Sequence, residues 1–464
     1  MPKPTELDRY ATFLCEALGH VDRHEGLTDY CRGLMLPIER KSVEPLAAHM
    51  DPYHVSAKHQ SLHHFVAKSE WSDDAVRARV QDWVFPRMRL TNGAFWIVDD
   101  TGFPKKGKHS VGVARQYCGQ LGKQDNCQVA VSLSMASEKA SLPVAYRLYL
   151  PEEWAHDAER REKAGVPEGL EFATKPEISL EQITQARKSG LTPGPVLADA
   201  AYGTNTAFRE GVTQLGLLYC VGVQSNVSVW APGTGPLPPK PRQNRGRPPT
   251  RLRRGPGHEA VSVRALSQGL DESAWRMVSW REGTKGKMRS RFAAVRVRPA
   301  HRDERRHQLR EEEWLLIEWP KSEAEPTKYW LATLPAKISL KNIVMTAKMR
   351  WRIERDYQEL KQEFGLGQYE GRGWRGFHHH ATLSIAAYGF LTAQRLASGG
   401  VKKNAARSDA STLPEDYTPR GGGTNAKTRA RLDFNLALLA RAQDFTRIAT
   451  LSMLRAERAQ VMTQ

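Results

Sequence analysis

Cysteine is scarce in this chain. Cys15, Cys31, Cys118, Cys127 and Cys220 are scattered, odd in number, and none belongs to a Cys-x-x-Cys pair. That excludes a disulfide framework and a Cys-ligated zinc site, and predicts a reducing environment. Long apolar runs are lacking too. The longest, Thr382 to Ser398, still contains Gln394 and Arg395, so no membrane span is expected. The N-terminus, Met-Pro-Lys-Pro-Thr-Glu, has no apolar stretch of the secretory kind, and the expected location is the cytoplasm. Acidic residues are in deficit: 51 Asp and Glu stand against 69 Lys and Arg, a net charge of +18. With 464 residues, 40% hydrophobic and 26% charged, the chain can fill about two to four domains with buried cores. A basic excess of this size concerns partners rather than fold. The obvious partner is nucleic acid, whose duplex carries about one negative charge per 1.7 Å.

The order of patterns along the chain suggests an α/β protein. Residues 1–90 read as helical: Leu7, Tyr10, Phe13, Leu14 and Leu18 form one face, and Ser72-Asp73-Asp74 opens a second helix through Val76, Val80, Trp83 and Val84. Phe95-Trp96-Ile97-Val98 is a short apolar run stopped by Asp99-Asp100-Thr101-Gly102, a strand expected to deliver carboxylates at its C-terminal end. Two more strands, 127–135 and 142–150, suggest an antiparallel meander, and a helix is expected from Ser179 to Lys188. Pro195-Val196-Leu197-Ala198-Asp199 repeats the strand-then-aspartate arrangement, followed by Ala200-Ala201-Tyr202-Gly203, a helix from Asn205 and a strand at 217–223. The predicted parts are a helical region (1–90), a first part of the core (91–225) and a β-rich insertion (226–335). After them come the end of the core (336–398) and a linker with a helical tail (399–464). Within the insertion, strands are read at 261–266, 275–280, 292–297, 313–319 and 329–333, after an exposed Pro/Gly/Arg-rich loop. Ser339 opens a helix predicted to run to about Phe364, and another spans 381–396.

Two strands ending in aspartate mean little alone, because such residues often belong to turns. The helix after the insertion adds a third element. Its Arg350, Glu354, Tyr357 and Lys361 are four, three and four residues apart and share one face. The spacing Arg-x-x-x-Glu-x-x-x-x-x-x-Lys resembles the Tyr-Arg-Glu-Lys signature of a lineage of bacterial insertion-sequence transposases of the DDE type. Ala347 stands where that signature has its tyrosine, a role Tyr357 could take. The stretch from Asp100 to Lys361 is similar to the RNase H-like catalytic core of that lineage, within the retroviral-integrase superfamily: a mixed sheet flanked by helices, with a β insertion before the Glu.

The resemblance implies a catalytic triad of Asp100, Asp199 and Glu354 that holds two Mg²⁺, with Mn²⁺ as substitute. Three carboxylates from separate elements suit hard divalent ions that activate a nucleophile and stabilise a leaving oxygen. Asp99 competes with Asp100: alternation turns only one toward the pocket, and the lineage's Asp-Thr pattern favours Asp100. Arg350 and Lys361 are implied to bind phosphates. Trp330 falls where related transposases stack a flipped base, although a strand Trp also suits a core. Lys105, Lys106 and Lys108 are expected to face DNA. Arg245-Gly246-Arg247-Pro248 matches a minor-groove AT-hook, with general phosphate binding the broader reading for Arg245 and Arg247. Consecutive His378, His379 and His380 diverge on a helix and read as structural. The implied function is a transposase acting on double-stranded DNA, cutting at terminal repeats and joining the ends to target DNA. It would bind DNA through the helical region 1–90 and act as a homodimer, nucleoid-associated when bound. The alternatives are a transposase-derived regulator without catalysis and a stand-alone Mg²⁺-dependent nuclease.

Overall fold

The computed structural model describes residues 3–90, 93–241, 249–283 and 286–398. Arg245, Arg247 and the predicted C-terminal tail lie outside the described residues. Five helices open the chain: α1 (Glu6–Cys15), α2 (Arg23–Leu34), α3 (Val43–Met50), α4 (Val55–Ala67) and α5 (Asp73–Met88). Thr5 caps α1 with a reciprocal Thr5–Asp8 box, and the Ser72 side chain accepts from Ala75 N at the start of α5.

The sheet begins with β1 (Phe95–Pro104), β2 (Ala114–Cys118), β3 (Lys123–Ala136) and β4 (Ser141–Leu148). Then come α6 (Glu152–Ala155), α7 (Ala158–Ala164), α8 (Lys175–Lys188), β5 (Val196–Ala198), α9 (Ala200–Gly203), α10 (Thr206–Gln214) and β6 (Tyr219–Val223). The insertion supplies β7 (Ser228–Trp230), β8 (Val261–Ser262), α11 (Val263–Gln268), β9 (Arg276–Gly283), β10 (Gly286–Pro299), β11 (Glu313–Trp319) and β12 (Lys328–Ala332). Three helices follow: α12 (Leu340–Lys348), α13 (Trp351–Gln362) and α14 (Trp374–Ala397).

The strands form a mixed sheet in the order β2-β3-β1-β5-β6-β12-β11-β10-β7-β8, with β4 on β3 and β9 on β10. Its centre is RNase H-like: β1 pairs antiparallel with β3 and parallel with β5, and β5 is parallel to β6. The insertion does not stand apart, because β12 adds antiparallel to β6 and carries β11 and β10 with it.

Several elements depart from the sequence reading. β1 continues through the aspartates to Pro104 instead of stopping before them. The apolar run at 261–266 gives two strand residues and then α11, since a short apolar run fits either period. The helix predicted from Ser339 to Phe364 is broken at Met349–Arg350 into α12 and α13.

Helix α14 is buried on nearly every side from Gly376 to Gln394, with α5 and β4 among its neighbours. Helices α1 to α5 share one hydrophobic core with it and with the sheet. Within that core two histidines are held neutral. His380 Nε2 donates to Gly365 O at 2.9 Å while Nδ1 accepts from Tyr30 Oη at 2.9 Å. His378 Nδ1 donates to Trp374 O and Nε2 accepts from Leu148 N. Burial pushes both down to about 4 from 6.5. The unfolded chain therefore binds protons that the fold refuses, and both histidines cost stability as pH falls from about 6.5 toward 4. His380→Gln is expected to lose less melting temperature than wild type between pH 7 and pH 5; an equal loss in thermal melts at the two pH values would refute the assignment.

Candidate active site

The central strands place two acids side by side. In the parallel β1/β5 pair, Ile97 lies opposite Leu197. Two residues further on, on the same face, come Asp99 and Asp199, on strands that run about 4.8 Å apart. Ile97 and Leu197 share a hydrophobic cluster with Ile353 and Tyr357 of α13, so this is the face that α13 covers. Asp100 belongs to the opposite face.

Asp199 also caps α9: its Oδ1 accepts from Ala201 N at 2.9 Å. The motif needs its glycine, because a Cβ on Gly203 would fall 2.0 Å from Gly222 O of β6.

Arg350, at the break between α12 and α13, joins the acids. Its Nη1 donates to Asp99 Oδ2 at 2.7 Å and its Nη2 to Glu354 Oε1 at 3.2 Å. Burial pushes the Asp99 carboxyl up to about 7; Asp199 and Asp100 add to the rise and Arg350 opposes it. Tyr357 is buried beneath β1, donating to Asp99 O at 3.2 Å and sharing a hydrogen bond with Ser132 at 2.7 Å. Asp100 is engaged elsewhere. Lys175 Nζ of α8 lies 3.0 Å from its Oδ2, and Tyr202 Oη donates to the same oxygen at 3.2 Å. Neither partner was visible in the sequence, since both lie far from Asp100 along the chain.

A cleft of about 410 Å³ opens beside these acids, lined by Asp199, Glu354, Arg350, Trp330, Trp280 and Trp351. Trp330 is half-buried, and Lys348 Nζ sits 5.1 Å from its ring centre while pairing with Glu318 at 2.6 Å. One face of Trp330 is thus partly occupied. Lys361 points along β1, donating to Gly102 O at 2.7 Å and Gln120 Oε1 at 3.1 Å, and burial pushes its ammonium down to about 8. Lys105 donates to Tyr369 O at 2.8 Å, whereas Lys106 and Lys108 are exposed. The structure therefore brings Asp199, Glu354, Arg350 and Trp330 together with Asp99, and sets Asp100, Lys105 and Lys361 against other partners.

The donor set suits a hard divalent ion: the carboxylate oxygens of mostly buried Asp99, half-buried Asp199 and exposed Glu354, with burial first and then the charge of Asp199 and Asp100 raising Asp99. Among the described residues, no three acids, histidines or cysteines stand close enough together to hold one ion, and Arg350 binds both Asp99 and Glu354.

The sequence profile of the DDE superfamily endonucleases matches residues 13–287, more than half of the chain. The chain belongs to this family. The match includes Asp99, Asp100 and Asp199 and ends before Glu354. A curated relative, the probable transposase for insertion sequence element IS701 of Microchaete diplosiphon, is 33% identical over 168 residues, which are 36% of this chain and 41% of that protein. The chain thus spans about two-fifths of that relative's length. Superposition on a solved piggyBac transposase synaptic complex with hairpin DNA covers 97% of this chain and 73% of that one, at 12% identity and a TM-score of 0.40, a similarity too low to define a common fold. Among the described residues no helix is long and apolar enough to cross a membrane.

Proposed function

We propose that this endonuclease is a transposase that binds the terminal repeats of its element, cleaves the DNA at those ends and joins the freed 3′-hydroxyl to target DNA by transesterification. The observation that carries this reading is the convergence of Asp99, Asp199 and Glu354 on Arg350 at the edge of one cleft. Asp99 replaces Asp100 as the first ligand in the proposal, because Asp99 lies on the face of Asp199 and α13. Asp99, Asp199 and Glu354 are the carboxylates that would hold a pair of Mg²⁺ or Mn²⁺ ions once Arg350 yields Asp99 and Glu354, and the ions would supply nucleophile activation and charge stabilisation at the leaving oxygen.

The chain's own residues do the rest. Arg350 is a forked cation that can grip two phosphate oxygens beside the cut. Tyr357 fixes the height of β1 under Asp99, and Asp100 ties β1 to α8 and α9 through Lys175 and Tyr202. Trp330 offers its cleft-facing ring to an unstacked base. Lys106 supplies an exposed charge at the end of β1, with Lys361 and Lys105 supporting that strand. Helices α1 to α5 take up end recognition, Arg245 and Arg247 add phosphate contacts, and two copies hold paired ends. The protein works in the cytoplasm, on the nucleoid.

The test is a Mg²⁺-dependent cleavage and strand-transfer assay on DNA carrying the element's ends, with Glu354→Ala for comparison. Wild type is expected to cut and join while the variant binds without doing either. Binding without cutting by the wild type would favour the regulator, cutting without joining the stand-alone nuclease, and a fully active Glu354→Ala would refute the site.

A further inference from the structure

Away from the acids, a concavity of about 510 Å³ opens where α4, α7 and the start of α14 meet. Four cationic side chains line it, Lys68, Lys163, Arg372 and Arg375, together with His63 and against a single acid, Glu162. These residues come from three separate stretches of sequence, so the cluster is not a local charge run. Arg375 is fixed, donating to Lys68 O at 2.8 Å and to Glu70 Oε1 at 3.1 Å. The Lys68 ammonium and the Arg372 guanidinium are exposed, and neither has a hydrogen-bond or ion-pair partner among the described residues. Lys163 has only an exposed contact with Glu159 at 3.5 Å, worth little in water.

The floor is the loop Gly371-Arg372-Gly373 with Arg375 and Gly376 in the first turn of α14. Packing over Tyr369 demands two of its glycines, since a Cβ on Gly371 or Gly376 would fall 2.1 or 1.7 Å from the Tyr369 hydroxyl.

This surface is linked to the active site. Lys105 Nζ donates to Tyr369 O, which ties the end of β1 to the loop. Exposed Lys106 and Lys108 lie on the loop that follows β1.

We propose that this concavity is a second binding site for the sugar-phosphate backbone of duplex DNA, gripping it on the Lys105 side of the cleavage point. It rests on the reading of the chain as an enzyme that acts on DNA. The lining presents four cations, Lys68, Lys163, Arg372 and Arg375, against one carboxylate, a set that suits phosphates rather than base edges. Its function is leverage: a duplex held at Arg350 and again at Lys68, Lys163 and Arg372 has a fixed direction across the cleft.

The test is equilibrium binding of duplexes carrying the element's ends, shortened one base pair at a time from either side, as a function of salt. Each phosphate contact contributes about 0.9 to the slope of log affinity against log salt, so the triple variant Lys68→Ala/Lys163→Ala/Arg372→Ala is expected to lower the slope by about 2 to 3. Wild type should lose affinity when one arm becomes too short to reach the concavity, and the triple variant should lose the dependence on that arm. Glu162→Gln, which removes the lone acid, should tighten binding. Thermal melting of both variants checks that the fold is kept. An unchanged slope and length dependence in a folded triple variant would overturn the proposal. Its outcome is separable from that of the transposase reading, since the slope is read without cleavage: wild type that binds with this slope but does not cut sinks only the latter.

Discussion

Asp99→Asn is expected to abolish DNA cleavage, with a loss of about 10³-fold or more, whereas Asp100→Asn should stay within about tenfold of wild type. A metal-ligating carboxylate secures several kcal/mol of transition-state stabilisation, and each 1.36 kcal/mol is a factor of ten. Asp100 touches Lys175 and Tyr202, so its loss weakens the attachment of α8 and α9 to β1 without removing a group from the cleft. Single-turnover cleavage of the two variants at saturating Mg²⁺ decides between them. A dead Asp100→Asn beside an active Asp99→Asn would return the first-ligand role to Asp100.

The same substitution has a second, independent readout. The folded Asp99 carboxyl titrates near 7 and the unfolded one near 3.8. Between those values the native state holds a proton that the unfolded state has released, so the ionised residue costs stability as pH rises from about 4 to about 7. Asparagine has no such charge to bury. The melting temperature of Asp99→Asn relative to wild type should therefore climb from pH 5 to pH 8 as activity is lost. Such a trade is expected where acids are crowded for chemistry.

Why the sequence left Asp99 and Asp100 undecided follows from the sheet. Alternation identifies a face when one side is buried and the other wet. Here Trp96 and Val98 pack into one core and Ile97 into another, so both faces of β1 are apolar and the pattern carries no contrast. The register of Ile97 against Leu197 resolves the choice, and that pairing across a hundred residues has no local signal. The face carrying Arg350, Glu354, Tyr357 and Lys361 was legible because helical spacing is local. In the structure Arg350, Tyr357 and Lys361 of that face each donate a hydrogen bond to a group on β1. The break that sets Arg350 at the start of α13 was not legible, as no Gly or Pro marks Met349–Arg350. Likewise, the insertion strands at 275–280, 292–297, 313–319 and 329–333 could be found from their apolar runs, but not their continuation of the core sheet through β12 and β6.

Arg350 is where the largest remaining effect is expected. A planar guanidinium reaches Asp99 and Glu354 together, and its field also acts on Asp199. Lysine offers a point charge that cannot serve both carboxylates in the same geometry. Arg350→Ala should lower cleavage by about 10² to 10³, the usual cost of one electrostatic stabiliser at a reacting centre, and Arg350→Lys should recover only part. The pH profile distinguishes this role from a purely structural one. Arg350 holds the Asp99 carboxyl down against burial and against Asp199 and Asp100. Without it that carboxyl titrates higher, so the acid limb of the rate profile moves to higher pH, and the deficit of Arg350→Ala narrows between pH 7 and pH 9. A deficit of the same size at every pH, or full rescue by lysine, would show that Arg350 acts on the DNA alone and leaves the protonation of Asp99 untouched.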